Sequence, residues 1–300
     1  MTDSHPVLVV GATGFLGGKV VDELLTRGKT VRALVRQGSD AGKLAAKGVE
    51  IARGDMLDLD SLVRAMTGAD AVITTAAGYT RRDRNALEID TVGNANLAEA
   101  ASRTAVRRFV LTSILTCDQT PDVPHFWHKK LAEDKLDDLG VPFVALRPGA
   151  FLDQVTQMSG DPFAKKRLTW FGTKTVPLTF VLTSDLAGYL AAAVDATVAD
   201  DERIDIGWDR PVSMQDVADI ATRLLGEHIR VRSVPAPLVS GIGAVVGRFV
   251  PMVADLTSML AWFETGRYVA DTTRQSEVFG PVPTAEDAVA RFATLLGHAL

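Results

Sequence analysis

Gly11-Ala12-Thr13-Gly14-Phe15-Leu16-Gly17-Gly18 lies between a short apolar run, Val7–Val10, and an amphipathic stretch from about Phe15 to Arg27. A glycine-rich turn that leaves a strand and opens a helix has few structural homes. Gly11 permits a tight turn, Gly14 lets a ligand approach the backbone, and Gly17 lets the helix lie close to the strand. The N–H groups at the helix start, together with the helix dipole, favour a bound phosphate. The loop is therefore expected to hold the pyrophosphate of a dinucleotide through Gly11, Thr13, Gly14, Phe15, Leu16 and Gly17.

The rest of the first half repeats this strand-then-helix order. Gly28 ends the first helix in the manner of a C′ glycine. Apolar runs recur at Thr30–Val35, Val49–Ala52, Ala71–Thr75, Phe109–Thr112 and Phe143–Leu146, each after a helical pattern. Six strands alternating with helices predict an α/β fold, a doubly wound parallel (Rossmann) sheet covered on both faces. After Arg147-Pro148-Gly149 the alternation stops. Residues 150–180 are expected to be irregular. A helix over Ser184–Ala196, a strand at Ile204–Ile206, a helix over Met214–Leu225 with Ser213 as its N-cap, and a strand at Ile229–Val234 follow. The expected organisation is a dinucleotide-binding domain over 1–150 and a smaller α+β substrate lobe over 151–300, packed over the carboxyl edge of the sheet.

Composition narrows the function. A formal charge of −5 gives no general attraction to nucleic acid. A single cysteine, Cys117, excludes an internal disulfide and a cysteine zinc cage, and no metal is expected. No run reaches the roughly 18 apolar residues of a spanning helix. The start, MTDSHPVLVV, lacks a basic leader, so a cytoplasmic location is expected. The most apolar stretch, 235–263, is interrupted by Arg248 and Asp255. It reads as two short helices that wall an apolar pocket or form an oligomer contact, with membrane-surface contact as an alternative.

The end of the second strand indicates which dinucleotide is preferred. An acid there would bind a ribose 2′-hydroxyl, but Val35-Arg36-Gln37-Gly38-Ser39 offers none before Asp40. Arg36 is suited to a 2′-phosphate and Ser39 adds a hydroxyl, so NADP(H) is favoured over NAD(H). The run Tyr79-Thr80-Arg81-Arg82-Asp83-Arg84 after the fourth strand reads as a solvated loop, with anion binding as the alternative.

Taken in order, these segments resemble an atypical short-chain dehydrogenase/reductase of the NmrA-like kind. The resemblance rests on VLVVGATGFLGGKVVDELL, RGDMLDLDSL, AVITTAAG, IDTVGNANLAEAA, VRRFVLTSI, VPFVALRPGAF, SDLAGYLAAAV and DIGWDRPVSMQDVADIA, which span nearly the whole chain. It implies that Asp55 and Met56 face the adenine, that Ala76 and Ala77 lie by the adenine ribose, and that Pro148 lies near the nicotinamide. Both reductases and redox sensors occur among such proteins.

In the wider superfamily a Ser, a Tyr and a Lys carry the chemistry, with Tyr and Lys four residues apart on one helix face. Here the resemblance places Ser113 at the serine position and Lys129 at the lysine position. The residue four before Lys129 is His125, and Tyr79, Tyr189 and Tyr268 are followed four residues later by Asp83, Ala193 and Thr272. No YxxxK pair exists in the chain. Three arrangements are open. His125 and Lys129 replace the Tyr–Lys pair, since imidazole titrates near neutrality. Lys129 alone holds the ribose and supplies a proton, with Ser113 polarising a carbonyl. Or the chain binds a dinucleotide without chemistry, as a sensor or assembly factor. The first two predict a reductase of a small apolar carbonyl, quinone or enone-like substrate. Phe126 and Trp127 read equally as a substrate mouth or as packing, and Cys117 as structural.

Overall fold

The computed structural model describes residues 5–78, 86–154, 156, 160–234 and 251–300. The arginine-rich run at 79–84 and the first part of the apolar stretch, 235–250, lie outside the described residues. Strands of the first half are β1 (Val7–Val10), β2 (Val31–Val35), β3 (Glu50–Arg53), β4 (Ala71–Thr74), β5 (Arg108–Thr112) and β6 (Phe143–Pro148). Those that follow are β7 (Ala150–Phe151), β8 (Arg167–Phe171), β9 (Phe180–Val181), β10 (Asp201–Ile206) and β11 (Arg230–Val234). The helices are α1 (Phe15–Thr26), α2 (Gly42–Ala45), α3 (Leu59–Met66), α4 (Ala86–Glu88), α5 (Asn94–Thr104), α6 (Pro124–Asp138), α7 (Thr183–Ala193), α8 (Met214–Leu225), α9 (Pro251–Glu264), α10 (Thr273–Phe279) and α11 (Ala285–Leu295).

Seven strands form one parallel sheet in the order β10-β6-β5-β4-β1-β2-β3. The chain winds outward from β1 in one direction and restarts at β4 in the other, the doubly wound pattern. Every residue of β1, β4, β5 and β6 is buried, as strands covered on both faces must be. β3, at one edge, is only partly covered.

The seventh strand corrects the reading of Ile204–Ile206 as part of a separate second lobe. β10 lies beside β6, with Phe143 N donating to Asp200 O and Gly149 N to Ile206 O. Its sequence, DERIDI, buries only Ile204 and Ile206. That half-polar alternation suits an edge strand, and so it lacks the apolar run by which the central strands announce themselves.

The chain divides into two compact units, each drawn from several stretches. The first comprises 1–117, 125–147 and 184–204, so α7 and most of β10 belong with the strands of the first half. The second comprises 118–124, 148–183 and 205–300. Within it β8 and β11 form a parallel pair and β7 and β9 another, giving regular structure to part of 150–180. Ser213 caps α8: its hydroxyl accepts from Asp216 N at 3.1 Å, and the Asp216 carboxylate accepts from Ser213 N at 2.8 Å. No helix among the described residues is long and apolar enough to cross a membrane.

Candidate functional site

The glycine loop closes on itself before α1 begins. Gly14 N donates to Gly11 O at 2.8 Å, and Gly11 has φ +86°, which favours glycine. A Cβ on Gly17 would stand 2.1 Å from Gly11 O, so only a bare backbone fits there. Gly14 is the N-cap of α1 and offers no side-chain cap to the first N–H groups. An uncapped helix start above a glycine turn is a fitting seat for a phosphate.

Beside it lies an open cleft lined by Val10, Gly11, Thr13, Leu34, Val35, Arg36, Ser39, Gly54, Asp55, Met56, Leu57, Ala76, Ala77 and Ile89. Of the residues expected to hold a cofactor, Gly11, Thr13, Arg36, Asp55, Met56, Ala76 and Ala77 are brought together here, while Gly14, Phe15, Leu16 and Gly17 form the turn and first residues of α1. Arg36 and Ser39 stand at the two ends of a turn in which Ser39 N donates to Arg36 O at 3.1 Å. Asp55 binds its own backbone, accepting from Leu57 N at 3.0 Å, and Asn96 Nδ2 holds Met56 O at 2.9 Å. This wall of the cleft is thereby fixed by one local bond and one from α5.

The segment after β4 joins the cleft to a buried lysine. Lys129, on α6, is 6% exposed, and its Nζ donates to Ala76 O at 3.2 Å. Two residues on, Gly78 N donates to the buried carboxylate of Asp90 at 2.6 Å. Asp90 sits in a five-residue π-helical turn, Ile89–Gly93, between α4 and α5. Desolvation pushes the Lys129 ammonium below the ordinary lysine range, while Asp90, Cys117 and Glu133 pull it back up.

One turn beyond Lys129 is Glu133, which is completely buried. Ser113 Oγ donates to Glu133 Oε1 at 2.6 Å. Arg147 grips the same carboxylate with two bonds, at 3.0 Å from Nε and 2.6 Å from Nη2, and Arg203 adds a third guanidinium contact at 3.2 Å. Cys117 Sγ lies 3.5 Å from Oε1. This one carboxylate thus ties α6 to the ends of β5 and β6 and to β10. Ser113 stands at the end of β5 as expected, but its proton is committed to Glu133.

His125 lies in the first turn of α6, nearly buried, with its ring edge-on to Phe126 at 4.6 Å. Phe126 is itself 2% exposed and belongs to the core. Pro148 ends β6, and its carbonyl accepts from the Tyr268 hydroxyl at 3.3 Å. Sequence reasoning passed over Glu133, Arg147, Arg203 and Asp90. The i, i+4 spacing of Lys129 and Glu133 was the available signal for the first. The two arginines come from distant strands and leave no local pattern.

Residues 3–281 match the model of the NmrA-like family. The photosystem II assembly factor Ycf39 of Synechocystis is 25% identical over 281 residues, 92% of this chain and 86% of that protein. The triphenylmethane reductase of Citrobacter sp., solved with NADP(H), has a TM-score of 0.78 at 20% identity and covers 95% of this chain and 99% of its own. The NADPH-dependent quinone oxidoreductase of Escherichia coli, solved with NADPH, has a TM-score of 0.76 at 18% identity over 95% of this chain and 99% of its own. At such identities the two structures share the fold.

Proposed function

This chain belongs to the NmrA-like family, and on that premise we propose that it is an NADP(H)-dependent oxidoreductase acting on a small apolar carbonyl, quinone or enone-like acceptor. The observation that carries the proposal is the buried Lys129 held on the Ala76 carbonyl, at the segment that also lines the cleft. A purely structural lysine has no need to be desolvated beside a nucleotide cleft.

In this reading the uncapped start of α1 and the bare loop at Gly11, Gly14 and Gly17 bind the pyrophosphate. Arg36 and Ser39 bind the 2′-phosphate, and Asp55, Met56, Ala76 and Ala77 surround the adenosine. The bound nicotinamide supplies hydride, which is the cofactor's own chemistry. Lys129 orients the ribose and, from Nζ, gives a proton to the acceptor oxygen. Its depressed proton affinity makes it a readier proton donor than an ordinary lysine. Glu133 keeps Lys129 in register, and Ser113 acts through Glu133. His125 is the alternative proton source, one turn before Lys129. The names of the two solved reductases, a dye reductase and a quinone reductase, support acceptors that need little acid assistance.

A second reading is favoured by a specific observation: a relative matched over 92% of this chain is an assembly factor, and this chain lacks the tyrosine pair. There the cleft binds a dinucleotide for sensing or assembly. The two separate by following loss of NADPH absorbance against quinones, aldehydes and ketones, for wild type, Lys129→Ala and His125→Phe. The oxidoreductase reading expects saturable turnover on at least one acceptor, reduced about a hundredfold or more by Lys129→Ala. Tight NADPH binding without turnover on any acceptor moves the assignment to the second reading. Turnover unchanged in both variants removes these residues from the chemistry.

A further inference from the structure

The turn that carries Arg36 and Ser39 is held from behind by a residue of the neighbouring strand. Arg53, the last residue of β3, donates from Nη1 to Arg36 O at 2.9 Å and to Ser39 O at 2.8 Å. One nitrogen therefore fastens both ends of the four-residue turn. β2 and β3 are paired so that Val35 lies beside Arg53, which puts the guanidinium directly under the chain as it leaves β2. Gly38, inside the turn, has φ +76°, so the loop conformation is sharply defined.

The clamp uses only the Nη1 hydrogens. Among the described residues, Arg53 Nε and Nη2 make no hydrogen bond and no carboxylate pairs with the group. That leaves the edge of a guanidinium that best matches a phosphate, with its full charge. Gly54 and Asp55, the next two residues, line the cleft together with Arg36 and Ser39.

We propose that Arg53 is a second specificity-determining residue for an adenosine 2′-phosphate, fixing the Arg36–Ser39 turn and adding its own charge at the phosphate position. The proposal rests on the NADP(H) reading above. Arg53 is exposed, so replacing it leaves the core intact.

The test is the affinity of the whole chain for NADPH and for NADH, by calorimetry, in wild type, Arg36→Ala, Arg53→Gln and Arg53→Lys. Arg53→Gln is expected to weaken NADPH by roughly ten- to a hundredfold, the worth of a charge-assisted hydrogen bond, and to leave NADH almost unchanged. Its NADPH affinity also becomes less sensitive to salt. Arg53→Lys recovers part of the loss, because it keeps the charge but cannot span both carbonyls with a planar fork. Equal weakening of both dinucleotides by Arg53→Gln, or no change while Arg36→Ala still discriminates, overturns the role of Arg53 and leaves the NADP(H) reading standing. Equal affinity of wild type for the two dinucleotides, with Arg36→Ala affecting both alike, overturns that reading and this proposal together.

Discussion

Lys129 places an amine where burial disfavours the charged form. Burial holds its ammonium below the ordinary lysine value of 10.5, with Asp90, Cys117 and Glu133 acting against that effect. The folded chain therefore binds this proton more weakly than the unfolded chain does. Folding is penalised below the folded value, and the penalty is relieved as pH climbs toward the ordinary lysine range. Lys129→Met is expected to melt higher than wild type at neutral pH, by about 2–4 °C for each kcal/mol relieved, with the gap closing at alkaline pH. Thermal melts of both proteins across that range check the prediction; a wild type more stable at neutral pH refutes it. In the proposed reductase, turnover is expected to have the opposite dependence. With Lys129 as the proton donor, the rate is expected to fall as pH rises through the Lys129 value, with the alkaline limb below that of an ordinary lysine. Lys129 was singled out by the family resemblance, and the structure has it on α6. Glu133 was not, for an acid one turn along a helix looks like any solvent-facing charge until its partners are known.

Elements show the same contrast between local and distant causes. The glycine loop, α1 and the central strands were legible because each is written in neighbouring residues: a bare turn, an amphipathic repeat, four or five apolar residues in a row. Gly17→Ala tests that local logic. Its Cβ would meet the Gly11 carbonyl, a backbone atom that cannot swing aside, so a loss of about 1–3 kcal/mol and a sharp loss of dinucleotide affinity are expected. Urea melts and a binding titration measure the two effects. The ties between elements are not local. Glu133 draws on Ser113, which follows β5, and on Arg147 and Arg203, which belong to β6 and β10. Glu133→Gln leaves two guanidinium groups facing a neutral amide and is expected to cost about 3–5 kcal/mol by chemical denaturation. Ser113→Ala removes one donor from the carboxylate and is expected to cost about 1–3 kcal/mol. A Ser113→Ala protein with unchanged stability and abolished turnover would instead make Ser113 a catalytic group in its own right.

Across the whole molecule, the order of the chain and the order of the sheet part company. Six strands come from the first half, and β10 comes from residues 201–206, after a long excursion through the second unit. The change of rhythm near residue 150 marks the end of β6, but rhythm does not reveal that the chain returns to the sheet. A fragment ending at residue 150 would lack α7, β10 and Arg203, and Glu133 would keep only part of its ion pairing. Such a fragment is expected to show helical circular dichroism without a cooperative thermal transition, whereas a cooperative melt would show that the six strands suffice. The late strand also has a meaning in time. At about 5–20 residues per second, a ribosome needs about three to twelve seconds to move from Pro148 to Ile206. Through that interval the β6 edge, apolar and without its neighbour β10, is expected to be open to pairing with other chains. Any exposure of that edge during synthesis is thus expected to lengthen with the distance along the chain between two strands that end up as neighbours.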